Sequence, residues 1–238
     1  MQLLSRTLHA GLTLTFFLSA ACAQVSNSTQ HAAAVAHTRS APVMKGKAIN
    51  PVIRVAISVP AGSKPMPLQG VRISLDAHAA ASIDSVEIYL TGATPFHDRE
   101  RIGMVRMPKD GTTIPAEATL GPGLHFVWIS PVLSTSASID KNLSLQCSAI
   151  LLKDGKSLPV KQTGTNASLR TGVAVRKVQD DNVHTYRIPG IAQTDKGTLI
   201  SVYDIRYLND RDLPGHIDVG MSRSTDGGNT WEPMKVIM

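Results

Sequence analysis

The chain has 238 residues, of which 42% are apolar, 18% are charged and only 4% are aromatic. This balance excludes a disordered polyelectrolyte and predicts a core of mainly aliphatic side chains. The net charge of +6 is spread along the chain without a run of four basic residues, which argues against nucleic-acid binding. Two cysteines exclude a disulfide-dense scaffold, and the histidines lack the spacing of metal ligands, so neither a metal nor a cofactor is expected.

Residues 1–23 predict an export signal. Arg6 lies near the start, an apolar stretch follows, and small residues come last, which is the order of a secretory signal. This stretch is too short to be a membrane-spanning helix, and no other reaches the required length of about 20 residues. Two processing routes stay open: cleavage that leaves Gln24 first, or lipid attachment at Cys22. We therefore expect an exported protein that is periplasmic, secreted or an outer-membrane lipoprotein.

Residues 24–160 predict a linker and then a β-domain. Residues 24–50 are rich in Ala, Ser, Thr and His without a sustained period, and this composition predicts a flexible linker. Residues 51–160 predict a β-sandwich, because apolar residues alternate in short stretches separated by turn signals. One of these stretches places Cys147 on its apolar face, so we expect a buried and unreactive thiol. Trp128 and Tyr89 are either core residues or faces for a sugar.

The remaining sequence predicts a second linker and a small antiparallel sheet. Residues 161–172 contain few apolar side chains and mark a domain boundary. Residues 173–238 predict four antiparallel strands, about the size of one β-propeller blade. A hairpin that turns between residues 195 and 196 places Arg187 opposite Asp204. Because side chains alternate along a strand, Arg206 then lies at the same end of the hairpin as Arg187.

Two interpretations of this arginine pair stay open. The loop after Arg206 starts at the same end of the sheet and carries Asp212, so two guanidinium groups and a carboxyl group meet at one rim. Guanidinium groups bind a carboxylate in a bidentate manner, and a nearby carboxyl group can donate a proton. The alternative is that each arginine forms an internal ion pair with a neighbouring acid: Asp204, Asp210 or Asp218.

Residues 224–231 form the pattern S-x-D-x-G-x-T-W at the other end of the predicted sheet. The carboxylate of Asp226 is suited to accept backbone N–H groups of a turn, glycine adopts a positive φ, and Trp231 packs beneath the turn. We interpret this segment as a scaffold turn and assign Asp226 no chemical role.

Three motifs resemble the sialidase (neuraminidase) family. Residues 186–189, Tyr-Arg-Ile-Pro, resemble the motif that opens the sialidase propeller, residues 224–231 resemble its Asp-box or BNR repeat, and residues 204–206 resemble its second arginine motif. Residues 51–160 are more weakly similar to the β-sandwich that precedes the catalytic domain in bacterial exo-sialidases. The resemblance implies an all-β fold, with an N-terminal β-sandwich followed by the first blade of an incomplete six-bladed β-propeller.

The resemblance also implies a function. Sialidases are glycoside hydrolases that release terminal sialic acid from glycoproteins, glycolipids and oligosaccharides with retention, using a tyrosine nucleophile. Arg187 resembles the first arginine that binds the substrate carboxylate, and Arg206 resembles the arginine beside the 4-hydroxyl group. Asp212 resembles the acid/base aspartate, with Asp210 and Asp218 as alternatives. The nucleophile and the later arginines are absent from this sequence, so we expect the 238-residue chain alone to be inactive.

Two other functions stay open at this stage. A non-catalytic, secreted carbohydrate-binding protein would use residues 51–160 as its binding domain. A structural or adhesive surface protein would carry an Asp-box of an unrelated propeller, but the Arg-Ile-Pro motif together with Arg206 argues against it.

Overall fold

Alternating apolar residues form strands along most of the chain, as the sequence predicts. A computed structural model describes residues 31–94, 96–164 and 168–238. The predicted export signal and the candidate lipid site Cys22 lie outside the described residues. None of the helices in the described segments is long and apolar enough to cross a membrane.

Ten strands and one short helix precede residue 164, and six further strands follow it. The first group is β1 Ala33–Thr38, β2 Val43–Lys45, β3 Ile53–Val59, β4 Met66–Leu75, α1 Ala77–Ser82, β5 Ile83–Thr91, β6 Glu100–Arg106, β7 Thr113–Leu120, β8 Gly123–Leu133, β9 Leu143–Leu152 and β10 Ser157–Thr163. The second group is β11 Ser168–Leu169, β12 Thr171–Val173, β13 Thr185–Gln193, β14 Leu199–Arg206, β15 Ile217–Ser224 and β16 Lys235–Val236, with a 3₁₀ turn at Asp180–Asn182.

Nine of these strands close into a barrel. Their order is β10-β1-β3-β8-β5-β6-β7-β4-β9, and β10 pairs again with β9. β1 runs parallel to β10, and β6 meets β7 where Gly103 lies opposite Ala116. Closure pairs strand edges that would otherwise be free. The predicted β-sandwich is therefore corrected to a closed barrel.

Both predicted linkers contain strands, and this is a second correction. β1 lies within residues 24–50 and pairs with β3, and its Ala34 and Ala36 are buried in the barrel. Residues 161–172 contain the end of β10, all of β11 and the start of β12. Small alanine side chains and very short strands carry a weak apolar pattern, so pairing with distant strands, rather than local propensity, sets their conformation.

The barrel core consists of the inward-facing aliphatic side chains of its strands, such as Ile53, Val55 and Ile57 of β3, which are fully buried. Cys147 of β9 is buried among them, as predicted, and burial raises the pKa of its thiol to about 12. The alternation along β9 breaks after Ala149, because Ser148 is an extra residue in the pairing with β4. Ile150 therefore faces the core in place of Leu151.

The last four strands form a separate antiparallel sheet in the order β13-β14-β15-β16. Arg187 lies opposite Asp204, as predicted. Two irregularities compensate each other to produce this register. The connection between Gln193 and Leu199 contains five residues, which shifts the pairing by one, and a β-bulge after Arg187, where Ile188 has a φ of 52°, shifts it back.

One side chain fastens the segment before β13 to this sheet. Arg176 donates hydrogen bonds to the hydroxyl of Tyr203 on β14, the hydroxyl of Ser222 on β15 and the carbonyl of Glu232, at 3.1, 2.7 and 2.9 Å. The two hydroxyl groups also bond each other at 2.7 Å. Val183 and Ile205 are fully buried in the small core of the sheet, beside the ring of Tyr203.

Candidate functional site

Arg187 and Arg206 meet at one end of the four-stranded sheet. The Nη1 atom of Arg187 and the Nη1 atom of Arg206 donate to the same carbonyl oxygen, that of Asp210, at 2.9 and 2.8 Å. Arg187 is near the start of β13 and Arg206 is the last residue of β14, so the antiparallel register brings them together. The shared carbonyl also fixes the loop that follows β14 over this end of the sheet.

The two arginines differ in burial and in partners. Arg206 is 1% exposed, and its Nη2 donates to the carboxylates of Asp204 and Asp212 at 2.9 and 2.6 Å. Its hydrogen bonds with Asp204 and then Asp212 raise the pKa of its guanidinium group. Arg187 is exposed, and in the described part of the chain no carboxylate lies within ion-pair distance of it. The interpretation as an internal ion pair therefore applies to Arg206, whereas Arg187 has N–H donors available for a ligand.

The three candidate acids have different environments. Asp212 bonds Arg206, and its side chain is 76% exposed, so it is accessible at the rim. Asp210 contributes its backbone carbonyl, as described above. Asp218, at the start of β15, accepts a hydrogen bond from the hydroxyl of Tyr207 at 2.9 Å, which is a structural contact. Burial and this carboxylate together raise the pKa of Tyr207.

A cavity of about 620 Å³ lies beside Arg187. Its walls are formed by residues 173–178, by Tyr186 and Tyr203 of the sheet, and by Met44 and Lys47. The exposed guanidinium group of Arg187 thus lies at the border of a concave surface large enough for a small-molecule ligand.

The turn at residues 224–231 lies at the opposite end of the sheet, as predicted, because Ser224 pairs with Leu199. Asp226 accepts hydrogen bonds from the backbone N–H and the hydroxyl of Thr230, at 2.9 and 2.6 Å, and from the hydroxyl of Ser224. These bonds, first those from Thr230, lower the pKa of Asp226 to about 2. The indole N–H of Trp231 donates to the carbonyl of Gly228 at 3.1 Å. All these contacts lie within the turn.

The ion pair of Arg206 with Asp204 is one of the alternatives that the sequence left open, and Asp204 is the second carboxylate on Arg206. Sequence reasoning missed two other contributions to the rim. Asp210 acts through its backbone carbonyl, and Tyr207 anchors the loop to Asp218. Among the described residues, no group of three or more His, Cys, Asp or Glu side chains has the geometry of a metal site.

The fold and the rim define an all-β protein with an arginine-rich, acid-bearing edge on a blade-sized sheet. The chain is 39% identical over 132 residues to a sialidase of Bacteroides fragilis (strain YCH46), covering 56% of this chain and 24% of that protein. It is 35% identical over 68 residues to a sialidase of Paraclostridium sordellii, covering 29% of this chain and 17% of that protein. No family model matches the chain.

A solved structure has the same fold. The Hadza microbial sialidase Hz136 superposes with a TM-score of 0.71 over 85% of this chain and 44% of that chain, at 24% identity. The chain thus spans less than half the length of each of these three relatives. The resemblance inferred from the motifs is confirmed: the chain is sialidase-like and is similar to part of bacterial sialidases.

Proposed function

We propose that the chain forms the N-terminal part of an exo-α-sialidase, a glycoside hydrolase that removes terminal sialic acid from glycoconjugates with retention. The observation that carries the proposal is the meeting of Arg187, Arg206 and Asp212 at one rim of the sheet. The sequence similarity of the chain to sialidases supports it. In this proposal the sheet is the first of six propeller blades, and the turn at residues 224–231 is an Asp-box.

Arg187 binds the substrate carboxylate in this proposal. Its exposed guanidinium group has five N–H donors, and a hydrogen bond to the backbone carbonyl of Asp210 holds it at the rim. The remaining donors form a planar fork that matches a carboxylate. Sialic acid carries such a group beside the bond that is cleaved.

Arg206 positions Asp212. A guanidinium group that is 1% exposed cannot contact a substrate while the loop has this conformation, so the direct contact expected from the sequence does not fit this arrangement. Its bond to Asp212 instead orients a carboxyl group that is accessible at the rim. We assign Asp212 the role of general acid and base, and Arg206 that of a positioning residue.

The rest of the site would come from the other blades, and the protein would work outside the cytoplasm. The tyrosine nucleophile and the remaining arginines belong to those blades in this proposal. We also propose export through residues 1–23, with Cys22 as a candidate lipid anchor, to the periplasm, the outer membrane or the medium. Sialylated glycoproteins, glycolipids and oligosaccharides are the proposed substrates there.

The test uses a chimaera in which residues 31–238 replace the matching part of the Bacteroides fragilis sialidase. We expect the chimaera to hydrolyse a fluorogenic aryl sialoside, with the α-anomer released first, and the 238-residue chain to be inactive. Arg187→Ala should lower kcat/KM at least about 100-fold, because it removes the charged hydrogen bonds to the substrate. Arg223→Ala, which removes an exposed arginine of β15, is the matched control and should keep full activity.

The acid role of Asp212 has its own readout. Asp212→Asn should lower kcat on a sialylated oligosaccharide by about 10²–10⁴-fold and on an aryl sialoside much less, because a phenolic leaving group needs less protonation. Equal activity of the Arg187→Ala chimaera and the control would contradict the proposed site.

A further inference from the structure

A row of basic and aromatic residues crosses the outer face of the barrel, away from the rim. His37 of β1 lies opposite Arg54 of β3, Arg54 lies opposite Trp128 of β8, and Trp128 lies opposite Tyr89 of β5. Residues directly opposite each other in neighbouring strands point to the same face of a sheet. Their chain neighbours, such as Val55, are fully buried in the core, so the row faces outward.

A small cavity opens at one end of this row. It has a volume of about 190 Å³ and is lined by His37, Arg39, Arg54 and Trp128. His37 and Arg39 are exposed, and Arg54 is half-buried. Three of the four side chains that line the cavity, those of His37, Arg39 and Arg54, belong to basic residues. The volume lies below the range of roughly 300–1,000 Å³ of drug-sized sites, so the cavity suits one small ring.

The positive charge of this cavity is not compensated by the protein. Among the described residues, the guanidinium group of Arg39 makes one hydrogen bond, at 3.3 Å to the carbonyl of Pro51. The guanidinium group of Arg54 lies 4.8 Å from the centre of the Phe126 ring, and its Nε is buried without a hydrogen-bond partner. Across residues 31–94, 96–164 and 168–238, no carboxylate lies within 4 Å of either guanidinium group. The terminal nitrogens of these two guanidinium groups are therefore the candidate donors for an anion in the cavity.

Two acids near the Tyr89 end of the row have other partners. Glu87, two residues from Tyr89 on β5, accepts a hydrogen bond from Arg101 at 2.9 Å. Asp98 contacts His97 in the adjoining surface pocket, which Arg99 also lines. These pairs lie on the Tyr89 side of the row and leave the arginines of the cavity available to an anion.

Trp128 provides a rigid apolar wall. It is 4% exposed, and its indole N–H donates to the hydroxyl of Thr91 at 3.0 Å. The ring of Phe96 packs edge-to-face against it with centroids 5.3 Å apart. The interpretation of Trp128 and Tyr89 as open faces for a sugar therefore does not fit, because Phe96 covers Trp128. The part of the Trp128 side chain that stays uncovered borders the cationic cavity.

We propose that this cavity binds a single acidic monosaccharide unit. Arg39 and Arg54 bind its oxyanion, a carboxylate or a sulfate ester, and the edge of Trp128 contacts the sugar ring. Guanidinium forks match the oxygen spacing of both groups, and the adjacent apolar edge favours a ring over a free ion. The site does not depend on the proposed sialidase activity, because His37, Arg54 and Trp128 belong to the barrel and Arg39 directly follows β1.

The test is a titration of the 238-residue chain, followed by the NMR signal of the Trp128 indole N–H. The signal is identified as the indole resonance that remains in Trp231→Phe. The ligands are glucuronate, glucose 6-sulfate, glucose and inorganic sulfate at equal concentrations and low salt. We expect saturable shifts with one or both acidic sugars and weaker binding, by at least about tenfold, for glucose and sulfate. The two acidic sugars distinguish a carboxylate site from a sulfate-ester site.

Variants separate this site from general charge effects. Arg39→Gln, at an exposed position where folding is not at risk, and Arg54→Gln should each weaken binding of the acidic sugar at least about tenfold. Arg72→Gln, an exposed arginine on β4, is the matched control and should bind normally, as should Arg187→Ala at the rim. Equal binding of glucose, equal binding of inorganic sulfate, or an equal loss in Arg72→Gln would each overturn the proposal.

Discussion

Replacing Arg176 by methionine should destabilise the sheet that carries the rim. The side chain is 13% exposed and bonds β14, β15 and the carbonyl of Glu232. Methionine keeps most of the aliphatic stem and removes the charge and all the donors. The substitution therefore tests the hydrogen bonds and not the packing of the stem.

The expected cost follows from which partners stay satisfied. The hydroxyls of Tyr203 and Ser222 still bond each other after the substitution, and the ion pair of Arg176 with Asp181, at 3.7 Å, involves an exposed carboxylate. The main losses are therefore the charged bonds to Ser222 and to the carbonyl of Glu232. Hydrogen bonds to charged groups contribute about 1.5–3 kcal/mol each. We expect the free energy of unfolding of the sheet to fall by about 3 kcal/mol, at the lower end of the range for breaking a buried charged network.

The assay is urea unfolding followed by the fluorescence of Trp128 in the barrel and Trp231 in the sheet, together with hydrogen exchange of the amides of β14 and β15, which reports the sheet alone. Arg223→Met is the matched control, because Arg223 is half-exposed and pairs with the carboxylate of Glu232 at 2.6 Å. An exposed ion pair contributes about 0–1 kcal/mol, so this variant should unfold nearly as the parent does. A loss in Arg176→Met no larger than in Arg223→Met would refute the reasoning.

Three further predictions concern other parts of the molecule. The hydrogen bonds to Asp226 lower its pKa in the folded state to about 2, below the unfolded value of about 3.9, so its ionised form stabilises the fold above about pH 4. The difference in stability between the parent and Asp226→Asn should therefore be constant near neutral pH and should shrink between pH 4 and pH 2. Urea midpoints measured across this pH range test the prediction. Cys147 should resist an aromatic disulfide reagent at pH 8 in the native chain and react fully in denaturant, since its pKa is about 12; rapid native labelling would contradict its burial. Gly103→Ala should lower the free energy of unfolding by about 1–3 kcal/mol, because the added Cβ would clash with the carbonyl oxygen of Pro115 where β6 pairs with β7. Gly121→Ala is the control and should unfold like the parent, because no other atom lies within 4 Å of the added Cβ.

Much of the strand pattern was readable from the sequence because it is a local property. Alternating apolar side chains predicted β3, β5 and β8, and the turn signals predicted where they end. The rim was also partly readable, since Arg187, Arg206 and Asp212 are close in sequence and a hairpin of known length brings them together. The predicted pairing of Arg187 with Asp204 is confirmed, although the connection between the two strands is one residue longer than predicted. The bulge after Arg187 offsets the shift in register that the extra residue causes.

Tertiary structure alone decided three features. Barrel closure depends on Ala34 of β1 pairing with Val160 of β10, a contact between a residue of the predicted first linker and the last residue of the predicted β-domain. The burial of Arg206 depends on the loop at Asp210 and Asp212 folding back over it, and side-chain spacing cannot show which of two neighbouring arginines is covered. The cationic cavity combines side chains from β1, β3 and β8 that only strand register aligns. Long-range pairing carries no local periodic signal, so these features follow from the assembled fold.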